Sequence, residues 1–153
     1  MLAEAGFIEP TGPNIAKLMQ LGPTLAVVVS TSSSDGAEPQ RGRAEQVPAL
    51  VDTGASSSMI DNALATRLGL IQIDTAKIAG VHGVNDHPVY LAQISVPVLG
   101  LHQFDKFVGA NLREGGQIQE AILGRDFLFN VIMIYDGIRG QVSIASNLQI
   151  PPN

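Results

Sequence analysis

One carboxylate in this sequence stands where a function is easiest to argue. Ala49-Leu50-Val51 is an apolar run that reads as a buried strand, and it delivers Asp52 onto the turn Thr53-Gly54-Ala55. Gly54 allows the backbone to approach another group closely there. A buried acid at the mouth of a strand is costly, because desolvation favours its neutral form. Such an Asp needs donors around it, a partner, or work to do. The other candidates are weaker. Ser56, Ser57 and Ser58 could suggest a nucleophile, but no His base stands near them in a recognisable motif, so turn and strand-edge polarity is their expected role. His82 reads as an exposed turn histidine, and His87 and His102 are too far apart in pattern to suggest a metal site. Asp126 and Asp136 read as a helix-start acid and a turn residue, and Asp61 as a helix cap.

The elements that position Asp52 can be read from periodicity and punctuation. Residues 1–13 look like an irregular arm, after which Asn14 caps a short helix through Gln20 that Gly22-Pro23 stops. Thr24 to Ser30 and Gln46 to Val51 read as two strands, separated by the polar, Gly/Pro-broken loop Thr31 to Arg43. Ser57 to Ile60 is a short strand. Asp61 then caps a two-turn helix carrying Leu64 and Leu68 and ending at Gly69. Leu70 to Ala79 and Pro88 to Val98 form a long hairpin around the turn-rich tip Gly80 to Asp86. Leu101 to Ala110 is a further strand, and Asn111 to Gly116 a loop. Glu120 to Phe129 reads as an apolar strand that meets Gly124 and passes into a short helix, and Asp136-Gly137 heads a last hairpin. The chain thus runs twice through one pattern: hairpin strands, a strand ending in Gly, a short helix.

Composition narrows the class. At 153 residues the chain is long enough to bury a real core without staples, and it contains no cysteine, so neither disulfides nor thiolate metal sites contribute. Charged residues make up 15%, with a formal net charge of -5, which argues against nucleic acid or an anionic membrane as the main partner. Sixteen Gly and nine Pro punctuating short Val/Ile/Leu runs give an all-β accent. The early apolar run Leu25 to Val29 is too short to span a bilayer, and Glu4, Glu9 and Pro10 interrupt the start where a signal peptide needs an apolar stretch. A cytoplasmic location is the expectation.

In combination these residues resemble the retropepsin family, the single-domain aspartic proteases of retroviruses and their cellular and bacterial relatives. Leu50-Val51-Asp52-Thr53-Gly54-Ala55 is similar to the family's active-site turn, and Ile122-Leu123-Gly124-Arg125-Asp126 to the segment that crosses beneath that turn and leads into the last helix. Gly80 to Asp86 lies where the family carries its flap, a hairpin that closes over bound peptide. The resemblance implies an all-β, closed barrel-like acid-protease fold with a flap hairpin and one or two short helices. It divides the chain into an arm with a short helix (1–22) and a protease domain (23–150). Retroviral members usually carry an acid shortly after the turn that pairs with the Arg after Gly. Here those positions are Ser56 to Ser58, so Arg125 needs another partner, which could be Asp126, Asp61 or a backbone carbonyl.

The family's reaction uses two carboxylates across a two-fold axis, and only one Asp-Thr-Gly exists here. The resemblance therefore implies a homodimer in which Asp52 of each chain shares one proton with its copy, one acting as general base on a water and the other on the scissile carbonyl. Thr53 would tie the two turns together, Gly54 would offer its N–H to the carboxylate, and Ala55 completes the turn. Ile122, Leu123 and Gly124 would serve as its scaffold. Val81, His82, Gly83, Val84 and Asn85 of the flap would hydrogen-bond an extended peptide or protein substrate as an added strand. No metal or cofactor is required. The alternative is a dimerisation or peptide-binding module on the same fold, with little or no turnover.

Overall fold

Short β-branched runs broken by Gly and Pro become strands because each has one apolar face to bury. In the computed structural model, residues 1–31, 43–80 and 83–146 are described. Among them are twelve strands, three short α-helices and one turn of 3-10 helix (Pro97–Leu99): β1 (Leu2–Glu4), β2 (Ile8–Glu9), β3 (Gly12–Pro13), α1 (Ile15–Leu21), β4 (Thr24–Ser30), β5 (Ala44–Val51), β6 (Met59–Asp61), α2 (Asn62–Leu68), β7 (Ile71–Gly80), β8 (Gly83–Val96), β9 (Leu101–Ala110), β10 (Ala121–Leu123), α3 (Arg125–Leu128), β11 (Val131–Asp136) and β12 (Gln141–Ser146). The expected loop between β4 and β5 falls largely on residues 32–42, outside the described residues.

The main sheet runs β4-β5-β10-β6-β9-β8-β7, and a further pairing of β4 with β8 closes its first six strands into a ring. The fold is all-β, as expected. Along β4, Leu25, Val27 and Val29 point inward and are at most 4% exposed, the period-2 signature of a strand with one buried face. Ile60, Leu64 and Phe107 meet them in one core, each fully buried. Helix α2 starts where Asp61 Oδ2 accepts the N–H groups of Ala63 (3.0 Å) and Leu64 (3.4 Å), which satisfies donors the helix itself leaves free. It stops at Gly69, whose φ of 67° suits glycine best. Both ends match the sequence reading.

The arm differs from expectation. Residues 1–13 are not irregular: β1 pairs antiparallel with β12 in the register Leu2↔Ala145 to Glu4↔Ser143, and β2 pairs with β3. Ala3, Ala5 and Leu18 belong to the same core as the rest of the chain. Buried Gln119 reinforces this docking, with Nε2 donating to the carbonyl of Leu21 (3.0 Å) and the hydroxyl of Thr24 (2.9 Å). Long-range pairing of so short a segment leaves no periodicity to read.

Parallel pairing of β5 with β10 sets Leu50 beside Ile122 and Val51 beside Leu123. The two similar passes of the chain thus meet side by side at their Gly-bearing ends. Gly124 follows at once, and a Cβ there would lie 2.6 Å from the carbonyl carbon of Ser57 and 2.8 Å from its oxygen. Those are backbone atoms, which cannot swing aside. Gly124→Ala is therefore expected to destabilise the fold by about 1–3 kcal/mol or more, read as a lower urea midpoint at unchanged m-value.

Candidate active site

Asp52 leaves β5 with its backbone still tied to the sheet. Its N–H donates to the carbonyl of Leu123 at 3.0 Å, and the N–H of Ala55 returns to the carbonyl of Asp52 at 3.2 Å. Within this tight turn the N–H of Gly54 donates to Asp52 Oδ1 at 2.8 Å. A Cβ on Gly54 would sit 3.0 Å from that same oxygen, so a larger residue here would press on the carboxylate. The expectation of a buried acid needs correction. Val51 is 3% exposed, but Asp52 lies just past the buried end of the strand and is partly buried in the single chain, with Thr53 and Gly54 exposed beside it.

The carbonyls of the turn are all fastened by one short segment. Arg125 Nη1 donates to the carbonyls of Thr53 (2.9 Å) and Gly54 (3.0 Å). The backbone N–H of Arg125 donates to Ala55 at 2.9 Å, and that of Asp126 to Ser56 at 3.3 Å. Four consecutive carbonyls, 53 to 56, thus accept from two consecutive residues. Of the partners open to Arg125, the backbone carbonyl is the one formed. Guanidinium suits this place, because one terminal nitrogen carries two N–H groups that can reach two adjacent oxygens.

Ser58 differs from its sequence reading, and Asp126 carries a role beyond the helix-start acid expected of it. Ser58 is 2% exposed, and it is no strand-edge polar residue. Its hydroxyl donates to Asp126 Oδ1 (2.7 Å) and accepts the N–H of Gly124 (3.0 Å), while its own N–H donates to the Asp126 carboxylate at 2.9 Å. Asp126 does stand in the first turn of α3, accepting the N–H of Phe127 at 2.9 Å, but its carboxylate also clamps the far end of the turn. The two residues lie 68 apart in the chain, so no local spacing announces the pair.

The long hairpin of β7 and β8 is more regular than its glycines suggested. Val81 and His82 lie outside the described residues. Gly83, Val84 and Asn85 were expected in a turn-rich tip, yet they already belong to β8, opposite Gly80, Ala79 and Ile78. Backbone pairing therefore continues almost to the tip, and all three residues are exposed. At the base of the hairpin His87 Nδ1 lies 2.9 Å from the carbonyl of Gly109, so that nitrogen carries the proton. Nearby the Tyr90 hydroxyl donates to Asn62 Oδ1 (3.1 Å), and Asn62 Nδ2 to Asn111 Oδ1 (2.6 Å). Burial, and secondarily the negative charge of Asp61, pushes the Tyr90 phenol above its ordinary range, which keeps it a neutral donor. This polar triad joins β8, α2 and the loop after β9, and sequence reasoning did not find it. Among the described residues no cluster of three or more His, Asp or Glu is placed to hold a metal ion. None of the described helices is long and apolar enough to cross a membrane.

The aspartyl protease family model matches residues 24–127, from β4 to the middle of α3. The chain belongs to the aspartyl protease family. Among solved structures this family member is similar to a retropepsin-like aspartic protease from Rickettsia conorii, at 13% identity and a TM-score of 0.51, covering 94% of this chain and 91% of that one. It is also similar to EIAV protease complexed with the inhibitor HBY-793, at 24% identity and a TM-score of 0.47, covering 70% of this chain and 85% of that one. No curated protein matches. The likeness to the Rickettsia conorii structure shows the retropepsin-like fold that the motifs implied. The matched span contains the Asp52 turn, the long hairpin and the Gly124 crossing, and leaves β1–β3, α1, β11 and β12 outside it.

Within this aspartyl protease fold the Ser58 hydroxyl is the link between the crossing segment and the turn. Ser58→Ala would leave the N–H of Gly124 buried without its acceptor and Asp126 short of one donor, at an expected cost of about 1–3 kcal/mol. Ser57→Ala, at an exposed side chain, is the control and should stay within about 0.5 kcal/mol of wild type. Thermal or urea unfolding of the two variants measures the difference.

Proposed function

We propose that the protein is a homodimeric aspartic endopeptidase in which Asp52 of each copy forms half of the catalytic pair. The observation that carries this reading is the state of Asp52 in one chain. Its Oδ1 is held by the N–H of Gly54 at 2.8 Å, no other described group donates to the carboxylate, and Thr53 and Gly54 after it are exposed on a turn fastened by Arg125 and Asp126. A partly exposed carboxylate with one donor is suited to meet a symmetry-related copy of itself, because an isologous contact places identical groups across the axis.

Two close carboxylates resist simultaneous ionisation and titrate as a pair sharing one proton. The ionised member would draw a proton from a water while the protonated member donates to the scissile carbonyl, so the tetrahedral intermediate forms without a free hydroxide. Thr53, exposed at the tip of the turn, would face the partner turn. Gly83, Val84 and Asn85 would lie over an extended peptide, with Val81 and His82 completing the tip, and apolar pockets would receive alternate side chains.

A surface for the second copy is available. β1, β12 and β11 form a three-stranded sheet whose inner face carries Ala3 and Ile144 into the core. Leu2 pairs across Ala145 with Ile132, and Glu4 across Ser143 with Ile134, so these residues share the outer face. Leu2, Ile132 and Ile134 are 65%, 43% and 64% exposed, and Phe129, which follows the helix that grips the turn, is 77% exposed. Burying that surface would favour association at roughly 25 cal/mol per Å² of apolar area.

Asp52→Asn should lower kcat/KM on a peptide library by at least about 10²–10⁴-fold between roughly pH 4 and pH 7. Equal residual cleavage by wild type and variant would sink the assignment. For the dimer, Ile134→Lys should shift the mass measured by sedimentation toward the monomer and reduce cleavage in parallel, with the circular dichroism spectrum unchanged. A wild-type chain that stays monomeric at the concentration where it cleaves peptide would contradict the shared site.

A further inference from the structure

One peptide unit in the turn has both of its polar ends engaged by groups of opposite charge. The carbonyl of Thr53 accepts from the Arg125 guanidinium at 2.9 Å. The N–H of the same unit, belonging to Gly54, donates to Asp52 Oδ1 at 2.8 Å. A cation on the oxygen draws electron density through the amide resonance and leaves the N–H more positive, and hydrogen bonds in such a chain strengthen one another. Arg125 also holds the next carbonyl, Gly54, at 3.0 Å, which fixes the orientation of the unit.

We propose that Arg125 is a positioning residue that acts on Asp52 through the Thr53–Gly54 peptide, strengthening the N–H to carboxylate bond and so favouring the ionised form of the acid. The inference rests on the reading of Asp52 as one half of a catalytic pair. It depends on the residue that this chain carries at each point. The positions after the turn are Ser56, Ser57 and Ser58, and none of the ion pairs among the described residues includes Arg125. Its charge is directed at backbone oxygens instead. The neighbouring carboxylate, Asp126, is engaged by Ser58 and Phe127, so it does not draw the guanidinium away. Without the cation the Gly54 N–H is a weaker donor, the carboxylate holds its proton more readily, and both limbs of a bell-shaped pH–rate profile move to higher pH.

The test compares Arg125→Gln, which can still donate an N–H to a carbonyl but carries no charge, with Arg125→Lys, which keeps the charge. Two readouts are taken on the dimeric full chain: the pH dependence of kcat/KM, and the proton shift of the Gly54 amide in glycine-selective ¹⁵N spectra. Arg125→Gln should raise both limbs of the profile by roughly half a pH unit and move the Gly54 proton upfield, and Arg125→Lys should restore most of both. A role in holding the turn alone would lower kcat/KM in both variants with the profile and the Gly54 shift unmoved, and that result overturns the proposal. Should Arg125→Gln fail to fold, an unaltered Gly54 shift in Arg125→Met or an unmoved profile in that variant overturns it equally. If wild type cleaves nothing, the proton shift still decides whether the charge reaches Gly54, and the failure then falls on the protease reading alone.

Discussion

The site depends on the fastening of residues 52–58 to residues 123–126. An Asp on a tight turn at the end of a strand has few local contacts to hold it, and a turn carries backbone carbonyls that no sheet ladder satisfies. Here the carbonyls of residues 53–56 are taken by Arg125 and Asp126, the N–H of Asp52 by Leu123, and the N–H of Ser58 by Asp126. The turn is therefore rigid for reasons that lie far away in the sequence. Gly124 is the point of closest approach, and its missing side chain is what lets the second segment pass under the backbone of Ser57.

From that clamp the rest of the architecture follows. β10 must lie parallel to β5 so that both strands deliver their ends to the same place, and β6 must return antiparallel to β10 so that Ser58 arrives beside Asp126. The ring of strands supplies a core behind the site, with Ile60, Leu64 and Phe107 fully buried. The long hairpin grows out of the same ring, since β8 pairs with β9 and β4 along its lower part and with β7 along its upper part. The Asn62, Tyr90 and Asn111 contacts tie its base to α2.

In the proposed homodimer, a chain with one such turn and a partly exposed carboxylate would supply half of a symmetric arrangement. The three-stranded sheet built from both ends of the described chain presents apolar residues outward, and Phe129 stands at the end of the helix that begins with the clamping Arg125. The same α3 thus reaches the turn at its start and the apolar surface at its end. In the proposed dimer, association at that surface and the setting of Asp52 would be coupled through a single turn of helix.

Local chemistry determined much of this without help. The apolar run before Asp52, the Gly two residues after it, the cap at Asp61 and the stop at Gly69 were all legible, because strand, cap and turn propensities act over a few residues, while the association of Leu50-Val51-Asp52-Thr53-Gly54 with Ile122-Leu123-Gly124-Arg125 was legible only through the family resemblance of the two motifs. What only the tertiary structure decided involves partners distant in sequence. The roles of Ser58 and Asp126, the two carbonyls held by Arg125, the polar triad around Tyr90 and the pairing of Leu2–Glu4 with β12 all depend on which strands the ring brings together. Hydrogen bonds of this kind have no period and no fixed spacing, so composition cannot reveal them. The partial exposure of Asp52 belongs with them: sequence marks where the strand ends, but only the folded chain shows that the carboxylate lies just beyond its buried part.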